Sequence, residues 1–156
     1  MTTIENDIRD KWKTKVFENS AILNITNKAL DYELSPESEK EITEGSFTQE
    51  LNFFEYVVSR SEVSQPEIGG FSRPVYKFLC EVRYTKQIDT DGTNFNLVID
   101  AMSLLIDVVR AQLGSSWDNV VDYQEDPISI DAPIKETVAD IECYRSIARF
   151  SAIKQI

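Results

Sequence analysis

Projected at 100° per residue, the apolar side chains between Asn94 and Leu113 cover about 240° of a helix. Leu97, Ala101, Leu104, Leu105 and Val108 form one apolar face, and Ile99, Met102, Ile106, Val109 and Leu113 form a second. Only Asp100, Ser103, Asp107 and Arg110 occupy the polar strip between them. A single sheet covers one face of a helix, so the second face needs either another element of the same chain or the surface of a neighbouring subunit. The ends of the helix are marked by turn and cap residues from Asp89 to Asn94 and by Gly114 after Leu113.

Residues 3–18 predict an amphipathic helix. Thr2 and Glu5 have capping-box spacing, and Ile4, Ile8, Trp12 and Val16 make one stripe. The opposite face, with Arg9, Lys11, Lys13 and Lys15 among Glu5, Asp7 and Asp10, reads as solvated surface or a basic patch for a partner. Residues 47–60 and 75–86 are rich in aromatic and β-branched residues and predict strands. In the second, Tyr76, Phe78, Cys80, Val82 and Tyr84 alternate with a polar face of Lys77, Glu81 and Arg83. The segment between, Ser61 to Pro74, holds Pro66, Gly69, Gly70 and Pro74, and makes the pair an antiparallel hairpin with a tip of about fourteen residues. Trp117 to Tyr123 predicts a short strand, Gln124 to Pro133 a loop, and Thr137 to Ala152 a strand. Ile141, Cys143 and Ile147 interleaved with Arg145 and Arg149 support the last assignment, while Ala148 and Ala152 leave a helix open. The acidic stretch from Asp31 to Glu50, broken by Pro36 and Gly45, predicts a loop. The expected fold is therefore one α+β domain over residues 1–156: a mainly antiparallel sheet of about four strands, including the long hairpin, with two helices packed on it.

A chain of 156 residues buries about 70% of the surface its unfolded form exposes, enough for a core without staples. Cys80 and Cys143 are expected as reduced, buried thiols in a cytosolic setting, since the N-terminus lacks the pattern of a secretory signal. No apolar run approaches the ~20 residues of a membrane span. Histidine is absent, which removes imidazole-based nucleophile activation and His-ligated zinc. A net charge of -11 opposes a grip on phosphate backbones unless basic groups are strongly localised, and it suits either solubility or a surface that DNA passes without sticking. Asp89, Asp91 and Asn94 offer oxygen ligands, but Gly92 is fourth where a calcium loop wants it sixth, and Asp100 stands where the bidentate Glu belongs. Glu81 with Arg83 is the nearest approach to a carboxylate nuclease and lacks the lysine. There is no phosphate-binding glycine loop. No enzyme activity, metal or cofactor is expected.

Several landmarks follow one another in a familiar order. They are the N-terminal helix ending in a Trp12 turn, the strand Glu50-Leu-Asn-Phe-Phe-Glu-Tyr-Val-Val58 and the strand from Val75 to Lys86. The Asp91-Gly92-Thr-Asn94 entry to a long apolar helix and Leu113-Gly-Ser-Ser-Trp117 before a strand complete the set. Over most of the chain, outside the acidic stretch from Asp31 to Glu44, this order resembles the tail terminator (tail completion) proteins of long-tailed bacteriophages. The resemblance implies a virion subunit, made in the host bacterial cytoplasm, that assembles as a hexameric ring on the head-proximal end of the tail tube. It would stop tube growth, present a docking face to the head connector or neck protein, and let DNA pass through without specific binding. Met102, Ile106, Val109 and Leu113, with Pro66, Ile68 and Phe71 of the hairpin tip, are the candidate subunit interface, and Glu37, Glu39, Glu41 and Glu44 the candidate lumen-facing acids. Alternatives are cover of the second helical face by the Ile4, Ile8, Trp12 stripe, another head-tail connector protein, or a cytosolic ligand-binding or enzymatic α+β domain.

Overall fold

The computed structural model describes residues 3–25, 29–31, 51–64, 67–68, 71–72, 75–89, 91, 94–113, 123–138 and 140–155. Along the chain run α1 (Ile4–Lys11), a π-helical turn (Trp12–Phe17), α2 (Ser20–Leu23), β1 (Ala29–Asp31), β2 (Asn52–Ser64), β3 (Glu67–Ile68) and β4 (Phe71–Ser72). They are followed by β5 (Val75–Gln87), α3 (Asn94–Gln112), β6 (Tyr123–Ile130), β7 (Ile134–Val138) and β8 (Ile141–Gln155). The fold is α+β. Its main sheet has the order β1-β2-β5-β8-β6, with β7 also on β8, and every pairing is antiparallel except the short parallel contact of β1 with β2.

The sheet is larger than expected because residues 124–130 form β6 rather than a loop. β6 and β7 follow one another along the same outer edge of β8. Pro127 lies within the register shift between Glu125 and Ser129, and an edge position with a bulge is where a strand tolerates the missing N–H. The hairpin also runs further than expected. Its ladder continues to Ser64↔Val75, which shortens the tip to residues 65–74, and that tip carries the small β3–β4 pairing. The strand starts expected at Phe47 and Trp117 fall outside the described residues.

β8 is a strand, as expected, but its core face is not the expected one. Side chains alternate with period 2, so Ile141, Cys143, Arg145, Ile147 and Arg149 all share one side. Tyr144, Ala148, Phe150 and Ala152 on the other side join the main core, together with Phe54, Tyr56 and Val58 of β2 and Phe78, Cys80, Val82 and Tyr84 of β5. The helices pack on that face.

The N-terminal helix is capped by Thr3, whose Oγ accepts from the Asn6 N–H at 3.2 Å, not by a Thr2–Glu5 box. Glu5 instead accepts from Arg60 Nε at 3.0 Å, tying α1 to β2. The wider π-helical turn brings Trp12, Val16 and Phe17 all inward. The Trp12 ring meets Phe150 edge-on at 5.1 Å and stacks near Phe17 at 6.0 Å. α3 lies against β5 and β8 on one side and against the π-helical turn and α2 on the other, so its second apolar face is covered largely by its own chain. Among the described residues, no helix is long and apolar enough to cross a membrane.

Cys80 and Cys143 are free and buried. They lie on opposite faces of the sheet, in separate apolar clusters, which prevents a bridge. Burial pushes both thiols up, Cys143 from 9.0 to about 11, although the Trp12 side chain offsets part of the rise at Cys80 and Arg145 part of that at Cys143. Both are therefore expected to ignore an aromatic disulfide reagent near neutral pH in the folded protein and to react fully in denaturant. A native-state reaction of either thiol would contradict this. The sign of the linkage follows. Unfolded thiols ionise near 9.0 and the folded Cys143 only near 11, so its contribution to stability is intact below 9.0 and is lost as pH rises through that window.

Candidate subunit interface

α3 is inward-facing through Val98, Ala101, Met102, Leu105, Val108 and Val109, which are all buried. Its large apolar side chains are buried or half-buried over the C-terminal half, and the cover stops short in the first turns, where Phe95, Leu97 and Ile99 are 37%, 50% and 41% exposed. Leu97 stands roughly 160° from Ile99 around the helix axis, so the exposed groups fall on two opposite flanks separated by the polar strip. Each flank lines a groove. The first groove, of about 290 Å³, lies between Leu97, Ala101 and Leu104 of α3 and a floor of Ile25, Asn52 and Tyr84, with Lys86 and Asp100 also lining it. Its floor is fixed by hydrogen bonds: the Tyr84 hydroxyl donates to Asn52 Oδ1, and Asn52 Nδ2 donates to the Ile25 carbonyl at 2.8 Å.

The second groove, of about 300 Å³, lies between Phe95, Ile99 and Met102 and the stretch Ile130 to Pro133 that joins β6 to β7. Phe95 is braced there by an edge-on contact with Tyr144 at 5.5 Å. Ile130, 44% exposed, extends the apolar surface along the sheet edge, whereas Ile134, 53% exposed, pairs with Arg145 and lies on the other face of the sheet. Contiguous exposed apolar groups of this kind mark interaction surfaces more often than they do idle ones.

The expected interface residues sit differently. Met102, Val109 and Leu113, 2%, 0% and 3% exposed, turn into the chain's own core, because the N-terminal helices and the sheet enclose the arc they occupy. Ile106 is half-buried against the same core. Ile68 and Phe71 oppose each other across the hairpin tip as Cα partners. Pro66, Glu37, Glu39, Glu41 and Glu44 lie outside the described residues. Ile130 was missed because two prolines flag its region as loop; the β-branched Ile128, Ile130 and Ile134 beside those prolines were the available signal.

The sheet face away from the helices carries a lattice of ion pairs. Glu55 on β2 is 2% exposed and accepts from Arg83 Nε at 3.1 Å and Nη2 at 3.0 Å, with Arg145 Nη2 3.7 Å away. Arg145 donates to Thr85 Oγ1 and to Glu136, each at 3.0 Å. Arg149 meets Glu81 at 3.4 Å and Asp131 at 3.0 Å. Glu55↔Arg83, Thr85↔Arg145 and Glu81↔Arg149 are all directly opposed across strands. Glu81 and Arg83 are thus committed to separate partners and do not converge on a reaction centre. The Asn94 amide donates to the Gln87 carbonyl at 2.6 Å, joining the start of α3 to the end of β5. Among the described residues, no three His, Cys, Asp or Glu side chains could hold a metal ion.

No protein-family model matches the chain, and no curated protein is similar to it in sequence.

Proposed function

We propose that this chain is a structural subunit of a bacteriophage tail, a tail terminator, which closes a ring on the head-proximal end of the tail tube. The observation that carries the reading is the pair of exposed apolar flanks on opposite sides of α3. A subunit of a closed ring meets two neighbours through two non-equivalent patches, whereas a two-fold dimer needs only one. The order of sequence landmarks supplies the kind of ring. The ring is a hexamer in this reading, with tail tube protein on one side and the head connector on the other, and the particle is the virion. The charge of -11 supports it further, because an acidic annulus passes duplex DNA without releasing its counterions. The reading assigns the protein no catalysis.

The mass in solution tests it. Sedimentation of the protein, alone and with tail tube protein, is expected to give a particle of several 17.8 kDa chains. Leu97→Glu is expected to return it to single chains with an unchanged circular dichroism spectrum, since a half-exposed site tolerates the change to within about 0.5 kcal/mol. Wild-type protein that stays a single chain at every concentration, with and without tube protein, would refute the ring.

A further inference from the structure

We infer that the first groove is a binding site for a small zwitterion with an apolar body, the chemistry of a free apolar α-amino acid; the inference does not rest on the ring reading. The groove is walled by Ile25 and by Leu97, Ala101 and Leu104, which share one stripe of α3 at i, i+4 and i+7. Its floor is held in place because Tyr84 and Asn52 are tied to each other and to the Ile25 carbonyl. Its volume of about 290 Å³ stands at the lower end of the range for small-molecule sites, which suits a single amino acid rather than a peptide. Two charges line this apolar space. Lys86 lies on the helix-facing side of β5, two residues on from the buried Tyr84, and is itself half-buried. Asp100 stands beside Leu97 and Leu104 on α3 and is exposed. Among the described residues neither forms an ion pair, with the other or with a third group. The groove thus presents one unmatched cation and one unmatched anion to whatever enters it.

Those charges decide the occupant. An uncharged apolar molecule would strip water from the Lys86 ammonium and return no partner. An apolar carboxylate would meet Lys86 but also face Asp100, in a chain that carries -11. An apolar amine would meet Asp100 and face Lys86. A molecule with both groups sets its carboxylate towards Lys86 and its ammonium towards Asp100, and adds no net charge. Its side chain then lies against Leu97, Ala101 and Leu104. The charged ends supply orientation and the apolar walls supply burial.

Calorimetric titration of the full chain with L-leucine and L-phenylalanine tests the site, with isocaproate, isopentylamine and glycine as controls. Saturable binding of at least one of the two amino acids is expected. Isocaproate and isopentylamine, each lacking one charged group of leucine, are expected to bind roughly tenfold more weakly or worse, and glycine, with no body to bury, not at all. Lys86→Met and Asp100→Asn, at a half-buried and an exposed position, are each expected to weaken amino-acid binding to the same degree with an unchanged circular dichroism spectrum. Isocaproate binding as tightly as leucine would overturn the zwitterion in favour of a plain anion site. Amino-acid binding untouched by both substitutions would place it elsewhere and overturn the assignment. Absence of binding by both amino acids would overturn the inference whatever the mass of the particle, and assembly lost in Lys86→Met would then give the groove to a neighbouring chain. Binding to a protein that stays a single chain would uphold the site and refute only the ring.

Discussion

Trp12→Ala is expected to destabilise the protein by about 3–5 kcal/mol, the range for truncating a buried tryptophan. The side chain is fully buried and stands at the junction of three parts of the fold. It meets Phe150 of β8 and Phe17 of its own turn, and it offsets part of the burial-driven rise of the Cys80 thiol on β5. The π-helical turn that carries it also covers α3, so the cavity loosens the contact between the helical layer and the sheet. A loss of that size is a large part of the 5–15 kcal/mol that holds a domain together. In a domain of this size it should lower the melting temperature by roughly 6–20 °C. Urea melts of wild type and Trp12→Ala check it, and a change under about 1 kcal/mol would show that the turn is not a structural junction.

Glu55→Ala is expected to cost a similar amount, about 3–5 kcal/mol, for an electrostatic reason. Glu55 is nearly inaccessible, and the side chains of Arg83 and Arg145 beside it are only 16% and 13% exposed. Removing the carboxylate leaves the Arg83 guanidinium without its bidentate partner in a poorly hydrated place. Arg145 suffers less because Glu136 and Thr85 still hold it. The expected signature is non-additivity. Glu55→Leu and Arg83→Met are each strongly destabilising, and the double variant is closer to wild type than either predicts, because both charges leave together. Additive losses in urea melts would show that the pair contributes through packing rather than charge.

The parts of the fold that were legible in sequence are those with one pattern and clean punctuation. α3 was bounded correctly because its 100° periodicity is long and a glycine follows it. β5 was legible because Tyr76 to Tyr84 alternate strictly with polar residues. β6 and β7 were not, because edge strands beside prolines look like loops until β8 is present to pair with them. β8 was legible as a strand but not in its facing, since it places apolar groups on both sides, Cys143 on one and Tyr144 and Phe150 on the other. The ion lattice was visible only as alternating charges; which charge meets which depends on register, a non-local property.

The interface was the harder part. Periodicity showed that α3 has too much apolar surface for one sheet, which is correct, but it gave no means of deciding where its own chain stops covering it. The answer depends on how far the π-helical turn and α2 reach along the helix. They enclose Met102, Val109 and Leu113 and leave Phe95, Leu97 and Ile99 outside. The candidate surface therefore moved from the C-terminal half of α3 to its first turns, and gained a second wall from the edge of the sheet at Ile130.

Electron micrographs of the purified protein, alone and after incubation with tail tube protein, test ring closure most directly. Annular particles with six-fold averages, seated at one end of the tubes when tubes are present, are the expected result. Single small particles and uncapped tubes at every protein concentration would contradict it.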